Sequence, residues 1–254
     1  VKFKFWSKKK DLPPKTIKEK IKDNIKAIII ALVVALLIRS FLVQAFYIPS
    51  GSMKPNLLEG DYLFVSKYNY GYSNHSLPFS LPLLPSSRIF YNEPSRGDVV
   101  IFKYPGDNDT DYVKRLIGLP GDKIQVINSV VYINDVPLKR EFVETKIIDG
   151  LPINVYREYM ADTGVSYLIW QIKGYYSYES QFFGPIKLGE NEFFMMGDNR
   201  DNSRDSRFSD VSAVPKANLV GKGGIIFFSI DGSFMEIWKW FTDIRFDRIF
   251  KAVK

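Results

Sequence analysis

Residues 27–38 read AIIIALVVALLI, twelve positions without a polar side-chain atom. Counted from Ile25 through Arg39 and Ser40 to Tyr47, the stretch is 23 residues. At about 1.5 Å per residue that is roughly 35 Å of helix, enough for a hydrocarbon core of about 30 Å. The pattern predicts one transmembrane α-helix over 27–47, preceded by a basic tail over 1–26. Arg39 falls about two turns before the far end, where its stem can carry the guanidinium toward the headgroups. A removable signal peptide is the rival reading, because Val43-Gln44-Ala45 has the small-x-small form of a cleavage site. The length of the lysine-rich region and of the apolar run favours an uncleaved anchor. No other segment reaches spanning length.

Beyond Tyr47 the periodicity changes to that of strands. Residues 61–67 (DYLFVSK), 98–103 (DVVIFK), 111–117 (DYVKRLI), 123–128 (KIQVIN), 130–134 (VVYIN), 192–196 and 224–229 are short and β-branched or aromatic, and most are bounded by turn formers. Asn128-Ser129 and Asn134-Asp135 read as turn tips. The spacing predicts a mainly β chain, with a β-barrel or sandwich domain over 48–232 and no βαβ alternation. Within it, 123–190 reads as a variable subdomain without a motif. Residues 76–90 (SLPFSLPLLPSSRIF) carry three prolines among leucines, which excludes a central strand and leaves a packed loop or an apolar flap at the bilayer. A capping box at Ser233 and Glu236 opens an aromatic, basic pattern that predicts an amphipathic helix over 233–254. That helix would lie in a membrane interface or pack on the barrel.

Composition narrows the chemistry. The 254 residues hold no Cys and a single His, His75. Disulfides, a thiolate nucleophile and zinc sites of the Cys/His type are excluded, and no metal or other cofactor is expected. The formal charge of +7 equals the excess of lysines over acids in residues 1–26, so the remainder is balanced and nucleic acid is not an expected partner. Ten lysines before the apolar run orient the chain with its N-terminus in the cytoplasm and residues 48–254 outside.

Directly after the apolar run, residues 48–55 read IPSGSMKP, a turned segment in which a Ser can present Oγ and its own N–H. A Ser nucleophile needs a base. His75 lies in a polar loop and reads as solvated. A lysine serves only when neutral, and at an ordinary pKa of about 10.4 fewer than about one in a thousand is neutral at pH 7. Burial must bring that pKa down to about 7, at a cost of about 4 kcal/mol. Lys67, Lys103 and Lys114 are the strand candidates; Lys114 has Val113, Leu116 and Ile117 around it, and alternation sends Arg115 to the opposite face, where it could pair outside. Composition and spacing leave the choice open. Residues 197–207 (GDNRDNSRDSR) are the densest polar stretch. An EF-hand loop is excluded because the sixth-position Gly is missing, leaving a self-bonded loop in which Asp198, Asp205 and the arginines pair and Ser203 donates inward.

With these residues in view, the chain resembles the bacterial type I signal peptidases, membrane-anchored Ser–Lys proteases. The blocks that carry the resemblance are the apolar anchor, PSGSMKPNLLEGDYLFVSKY (49–68), RGDVVIFKYP (96–105), DYVKRLIGLPGD (111–122) and GDNRDNSRDSR (197–207), in the family's order. Asn56 stands where the family usually has Thr. The resemblance implies Ser52 as nucleophile, Lys114 as general base, and the Ser52 N–H with the Ser50 hydroxyl as oxyanion hole. It implies Ser203 as the group that orients the Lys114 amine. Arg115 with Asp198, and Asp205 with Arg207, would brace the site. Ile48, Met53, Leu57, Tyr112 and Val113 would line shallow pockets for small side chains at the first and third positions before the cut. The implied activity is removal of signal peptides from exported preproteins at the outer face of the bacterial inner membrane, by a monomer whose partners are signal peptides and the phospholipid bilayer. The rivals are a self-cleaving Ser–Lys repressor, for which no DNA-reading element is present, and a non-catalytic membrane-tethered β-barrel that binds lipid or partner proteins.

Overall fold

The computed structural model describes residues 16–77, 80–81, 83–84, 87–175, 178–232 and 240–253. Helix α1 (Ile17–Phe41) opens on a reciprocal cap, in which Thr16 Oγ1 accepts from the Glu19 N–H and Glu19 Oε2 accepts from the Thr16 N–H. Its apolar side chains are exposed on every side, from Ile25 to Phe41, as in a helix that meets lipid rather than a core. The helix stops at Leu42, whose N–H closes the last turn on Ile38 O. Arg39 therefore lies in the final turn, where a cation suits the negative end of the helix dipole.

The sequence places 43–47 inside the anchor, and the structure corrects this. Val43–Tyr47 is strand β1, antiparallel to β2 (Asp61–Ser66) from Val43 opposite Ser66 to Tyr47 opposite Tyr62. An extended partner satisfies the backbone of this β-prone pentapeptide as fully as one more helical turn would, and the aromatic cross-strand pair Tyr47–Tyr62, ring centroids 5.0 Å apart, adds to it.

The remaining strands follow as β3 (Val99–Lys103), β4 (Asp111–Gly118), β5 (Lys123–Ile127), β6 (Val130–Ile133), β7 (Val136–Pro137), β8 (Lys139–Ile148), β9 (Leu151–Tyr159), β10 (Ser166–Ile172), β11 (Phe182–Lys187), β12 (Glu192–Met196), β13 (Val214–Pro215) and β14 (Leu219–Ser229). They form a seven-stranded sheet β1-β2-β14-β3-β4-β12-β13, a three-stranded sheet β10-β9-β8 and a four-stranded sheet β11-β5-β6-β7. The mainly β expectation holds; the strands read from the sequence are present, most to within one residue at each end, while the one read at 224–229 begins at Leu219. Asn128-Ser129 and Asn134-Asp135 take positive φ at all four positions, as two-residue hairpins require.

Both faces of the large sheet are covered. Val99 and Ile101 of β3 join Leu63, Val65 and Ile226 in one core cluster, while Val100 and Phe102 join Leu116, Phe193 and Leu219 in another. The three-stranded sheet lies within the region read as motif-free, and its edge strand β8 is exposed along nearly all its length, so no inward/outward alternation marked it.

The C-terminal expectation changes as well. Residues 233–239 lie outside the described residues, and among the described residues beyond them Trp240–Asp243 is α-helical and Phe246–Arg248 a single 3-10 turn. The chain then runs back along β14, with Phe250 N–H on Ile226 O and Val253 N–H on Gly224 O, both at 2.7 Å. Those ladder bonds replace the helical ones. Arg248 seals this strap by bidentate pairing with buried Asp61. Of the proline-rich segment, Leu83 and Phe90 are exposed, and Arg88 ties its end to the carbonyls of Tyr70, Gly71 and Leu219.

Candidate active site

Ser52 sits on one 3-10 turn, Gly51–Met53, directly after β1. The turn is closed below by Leu57 N–H on Met53 O at 3.0 Å and flanked by Ile48, whose N–H reaches Asp61 O at 2.9 Å. Lys114 comes from β4, whose register with β3 sets Val100 opposite Lys114 and Val99 opposite Arg115. Alternation sends the two cations to opposite faces. Lys114 is 5% exposed, and its Nζ hydrogen-bonds Ser52 Oγ at 2.8 Å. Ser50 Oγ lies 3.4 Å from Ser52 Oγ at the surface of the same turn.

These groups open onto a cleft of about 820 Å³ lined by residues 44–53 on one side and by Tyr112, Val113 and Lys114 on the other. Ile48 and Met53 line its floor. Leu57 does not line the cleft: it is fully buried in the cluster with Ile48, Met53 and Leu63, because the turn that presents Ser52 to the cleft directs Leu57 down into the core.

Burial brings the Lys114 pKa down from the ordinary 10.5 to about 8. The Asp205 and Asp198 carboxylates oppose that shift, and Arg207 adds to it. Burial tends to raise the Asp205 carboxyl. Arg207 and the hydrogen bonds from the Gly197 N–H and Ser203 outweigh it and hold that carboxyl below the usual range. Asp205 is thus an anion whose field reaches the amine, and Arg207 offsets part of it.

Segment 197–207 carries the Asp198, Asp205 and Arg207 charges that act on the amine. Asp205 accepts from the Gly197 N–H at 2.9 Å, from Ser203 Oγ at 2.8 Å and from Arg207 Nε at 2.8 Å. Asp198 accepts from Arg115 Nε and Nη2, both at 2.7 Å. A Cβ on Gly197 would lie 2.1 Å from Ser203 Oγ and 2.6 Å from Ser52 O, so only glycine lets the two segments meet.

A model of the family described as signal peptidase, peptidase S26, matches residues 21–228. The chain belongs to this family. The signal peptidase I of Rickettsia typhi is 41% identical over 236 residues, covering 85% of this chain and 87% of that protein. That of Rickettsia conorii is 40% identical, covering 85% and 86%. A solved signal peptidase I from Enterococcus faecalis V583 aligns over 52% of this chain and 97% of its own, with 26% identity and a TM-score of 0.33. The peptidase is a serine endopeptidase of the signal peptidase family, and α1 is long and apolar enough to cross a membrane.

In this signal peptidase, Ser50, Ser52, Ile48, Met53, Tyr112, Val113 and Lys114 come together at the cleft, while Asp205 and Arg207 act on the amine through their charges. Ser203 donates to Asp205. Of the other lysines, Lys67 is buried but donates to Ser76 O at 2.6 Å, and Lys103 pairs with Asp111 at 3.0 Å. His75 hydrogen-bonds Ser80 and does not line the cleft.

Arg115 does not pair outside. It is fully buried with Asp198, its guanidinium 3.9 Å from the centre of the Tyr167 ring, because β10 covers that face of β4. Sequence reasoning also missed the partners of this layer. Arg200 makes a buried pair with Glu158, and Asn56 Nδ2 reaches Asp198 Oδ2 and Leu168 O, each at 2.7 Å. Asn199 donates its backbone N–H to Ser52 O and its side-chain Nδ2 to Gly51 O, each at 3.0 Å. The polar motif drew attention to 197–207, but these partners lie far away in sequence.

Proposed function

We propose that this peptidase removes signal peptides from exported preproteins, with Ser52 as nucleophile and Lys114 as general base. The observation that carries the reading is a buried amine with a lowered pKa, 2.8 Å from a hydroxyl on the wall of an open cleft. With the amine neutral, the Ser52 hydroxyl donates to its lone pair. Oγ attacks the scissile carbonyl as Nζ takes the proton, and the carbonyl electrons move onto oxygen.

The Ser52 N–H and Ser50 hydroxyl then receive that oxyanion, each worth about 3–4 kcal/mol in comparable sites. Lys114 returns the proton to the leaving amine, and the peptide bond breaks to leave an acyl-Ser52 ester. Water, deprotonated by the same amine, attacks the ester, and the resulting ammonium gives that proton to Ser52 Oγ as the acyl group leaves as a carboxylate. Ser203 orients the amine through its place beside Asp205, while Arg115–Asp198 and Asp205–Arg207 hold the loop rigid.

Strand β1 is an edge strand lining the cleft, so an extended peptide can add to it by backbone hydrogen bonds. Ile48, Met53, Tyr112 and Val113 leave room for small side chains, which favours an A-x-A substrate. Exposed Tyr47, Phe64 and Tyr68 near the end of α1 suit contact with the lipid interface of the outer leaflet of the inner membrane. The N-terminal lysines stay on the cytoplasmic side, and the peptidase acts as a monomer.

A fluorogenic A-x-A peptide tests this. Turnover is expected from the full chain and not from Ser52→Ala or Lys114→Met. A folded Ser52→Ala variant with full turnover overturns the assignment, and no turnover by the native chain marks it as a binding module.

A further inference from the structure

The Ser52 turn belongs to no strand ladder, so its orientation has to be set by contacts from elsewhere. Residues 198–199 supply them at both ends. Asn56 Nδ2 grips Asp198 Oδ2 at 2.7 Å, and Asn199 bonds two successive carbonyls, Gly51 O through Nδ2 and Ser52 O through its backbone N–H, each at 3.0 Å.

The Gly51 contact has a directional consequence. Gly51 O and the Ser52 N–H belong to one peptide group, and in a trans peptide the carbonyl and the N–H point in opposite directions. Asn199 is 7% exposed and does not line the cleft, whereas Gly51 and Ser52 do. A carbonyl held toward Asn199 on the interior side therefore sends the Ser52 N–H toward the cleft. Lys54 N–H also bonds Gly51 O, at 3.1 Å, but it moves with the turn and cannot fix the turn against the rest of the protein.

We infer that the Asn199 side chain is a positioning residue that aims the Ser52 N–H at the oxyanion of the tetrahedral intermediate. The inference rests on the reading of Ser52 as nucleophile and oxyanion donor. Asn199 never touches substrate. It acts by holding a carbonyl, and its effect is confined to the state in which the oxyanion exists.

The test uses Asn199→Ala and the near-isosteric Asn199→Leu in the full chain, both of which keep the backbone N–H that bonds Ser52 O. Each is assayed with an A-x-A peptide and with the corresponding peptide aldehyde, which adds to the serine to give a tetrahedral adduct. Circular dichroism and a thermal midpoint identify the folded variants. Loss of one oxyanion donor costs about 100- to 1,000-fold in rate, so a misaimed one is expected to lower kcat by about 10- to 100-fold. KM should stay within about threefold, and aldehyde affinity should fall by the same factor as kcat/KM, because only the tetrahedral states use the contact. A folded variant with kcat within threefold of the native value overturns the inference, as does an equal weakening of KM and aldehyde binding. Ser52→Ala, run in parallel, separates the two readings. Its full turnover would remove the nucleophile assignment, whereas an inactive Ser52→Ala beside fully active Asn199 variants removes only the role of Asn199.

Discussion

Lys114 Nζ meets Ser52 Oγ at 2.8 Å across 62 residues of sequence, with the amine almost wholly inside the protein and the hydroxyl on the wall of the cleft. The solvation that would keep a lysine charged is removed on one side while the substrate retains access on the other.

The Lys114 pKa of about 8 sets the direction of the pH profile. With Lys114 as the proposed general base the active form is the neutral amine, so kcat/KM should fall tenfold per pH unit below about 8 and level off above it. A rate profile with the A-x-A peptide checks this, and a limb near 10 contradicts burial as the cause. The same lowered pKa means that the unfolded chain binds more protons than the native one between about 8 and 10.5. This group's contribution to stability therefore rises with pH through that window. Lys114→Met, which buries no charge, should be inactive and no less stable at pH 7 by urea titration.

Asp205→Asn separates scaffold from field. It leaves the buried Arg207 guanidinium without its anion, which should cost about 3–5 kcal/mol in urea unfolding. Asp205 favours the Lys114 ammonium and Arg207 disfavours it, so losing the carboxylate and exposing the amine to an uncompensated Arg207 push the same way. The limb in the rate profile should move below pH 8. A limb that moves upward, with the protein folded, contradicts this account.

Gly197→Ala tests the close approach of the segments that carry Ser52 and Ser203. Its Cβ would fall 2.6 Å from the Ser52 carbonyl and 2.1 Å from Ser203 Oγ, and the serine is the piece least held by ladder bonds. Displacement of about 1 Å at a reacting atom costs about 100-fold. Turnover should drop by that order in the A-x-A assay, with a lowered thermal midpoint.

The absence of Cys makes topology directly measurable. Lys18→Cys at the start of α1 and Asp135→Cys at a hairpin tip can each be labelled in intact spheroplasts with a membrane-impermeant maleimide. Asp135→Cys should react at once and Lys18→Cys only after permeabilisation. The reverse pattern would invert the proposed orientation.

Much was legible in the sequence because local physics suffices for it. The apolar run had to be a helix of spanning length, the alternating segments had to be strands, and the Asn128-Ser129 and Asn134-Asp135 tips had to turn. The PSGS turn and the polar 197–207 stretch stood out from the residues themselves, and the roles of Ser52 and Lys114 came from resemblance. Tertiary structure decided what depends on a distant partner. β2 took Val43–Tyr47 from the helix, β10 buried Arg115, the core drew Leu57 away from the cleft, and β14 straightened the C-terminal segment. Periodicity tells which way a side chain points along its own element. Whether that direction ends in water, in a core or on another residue's carbonyl depends on the segment packed there, and Asn199 could meet Gly51 only once residues 148 apart had been brought together.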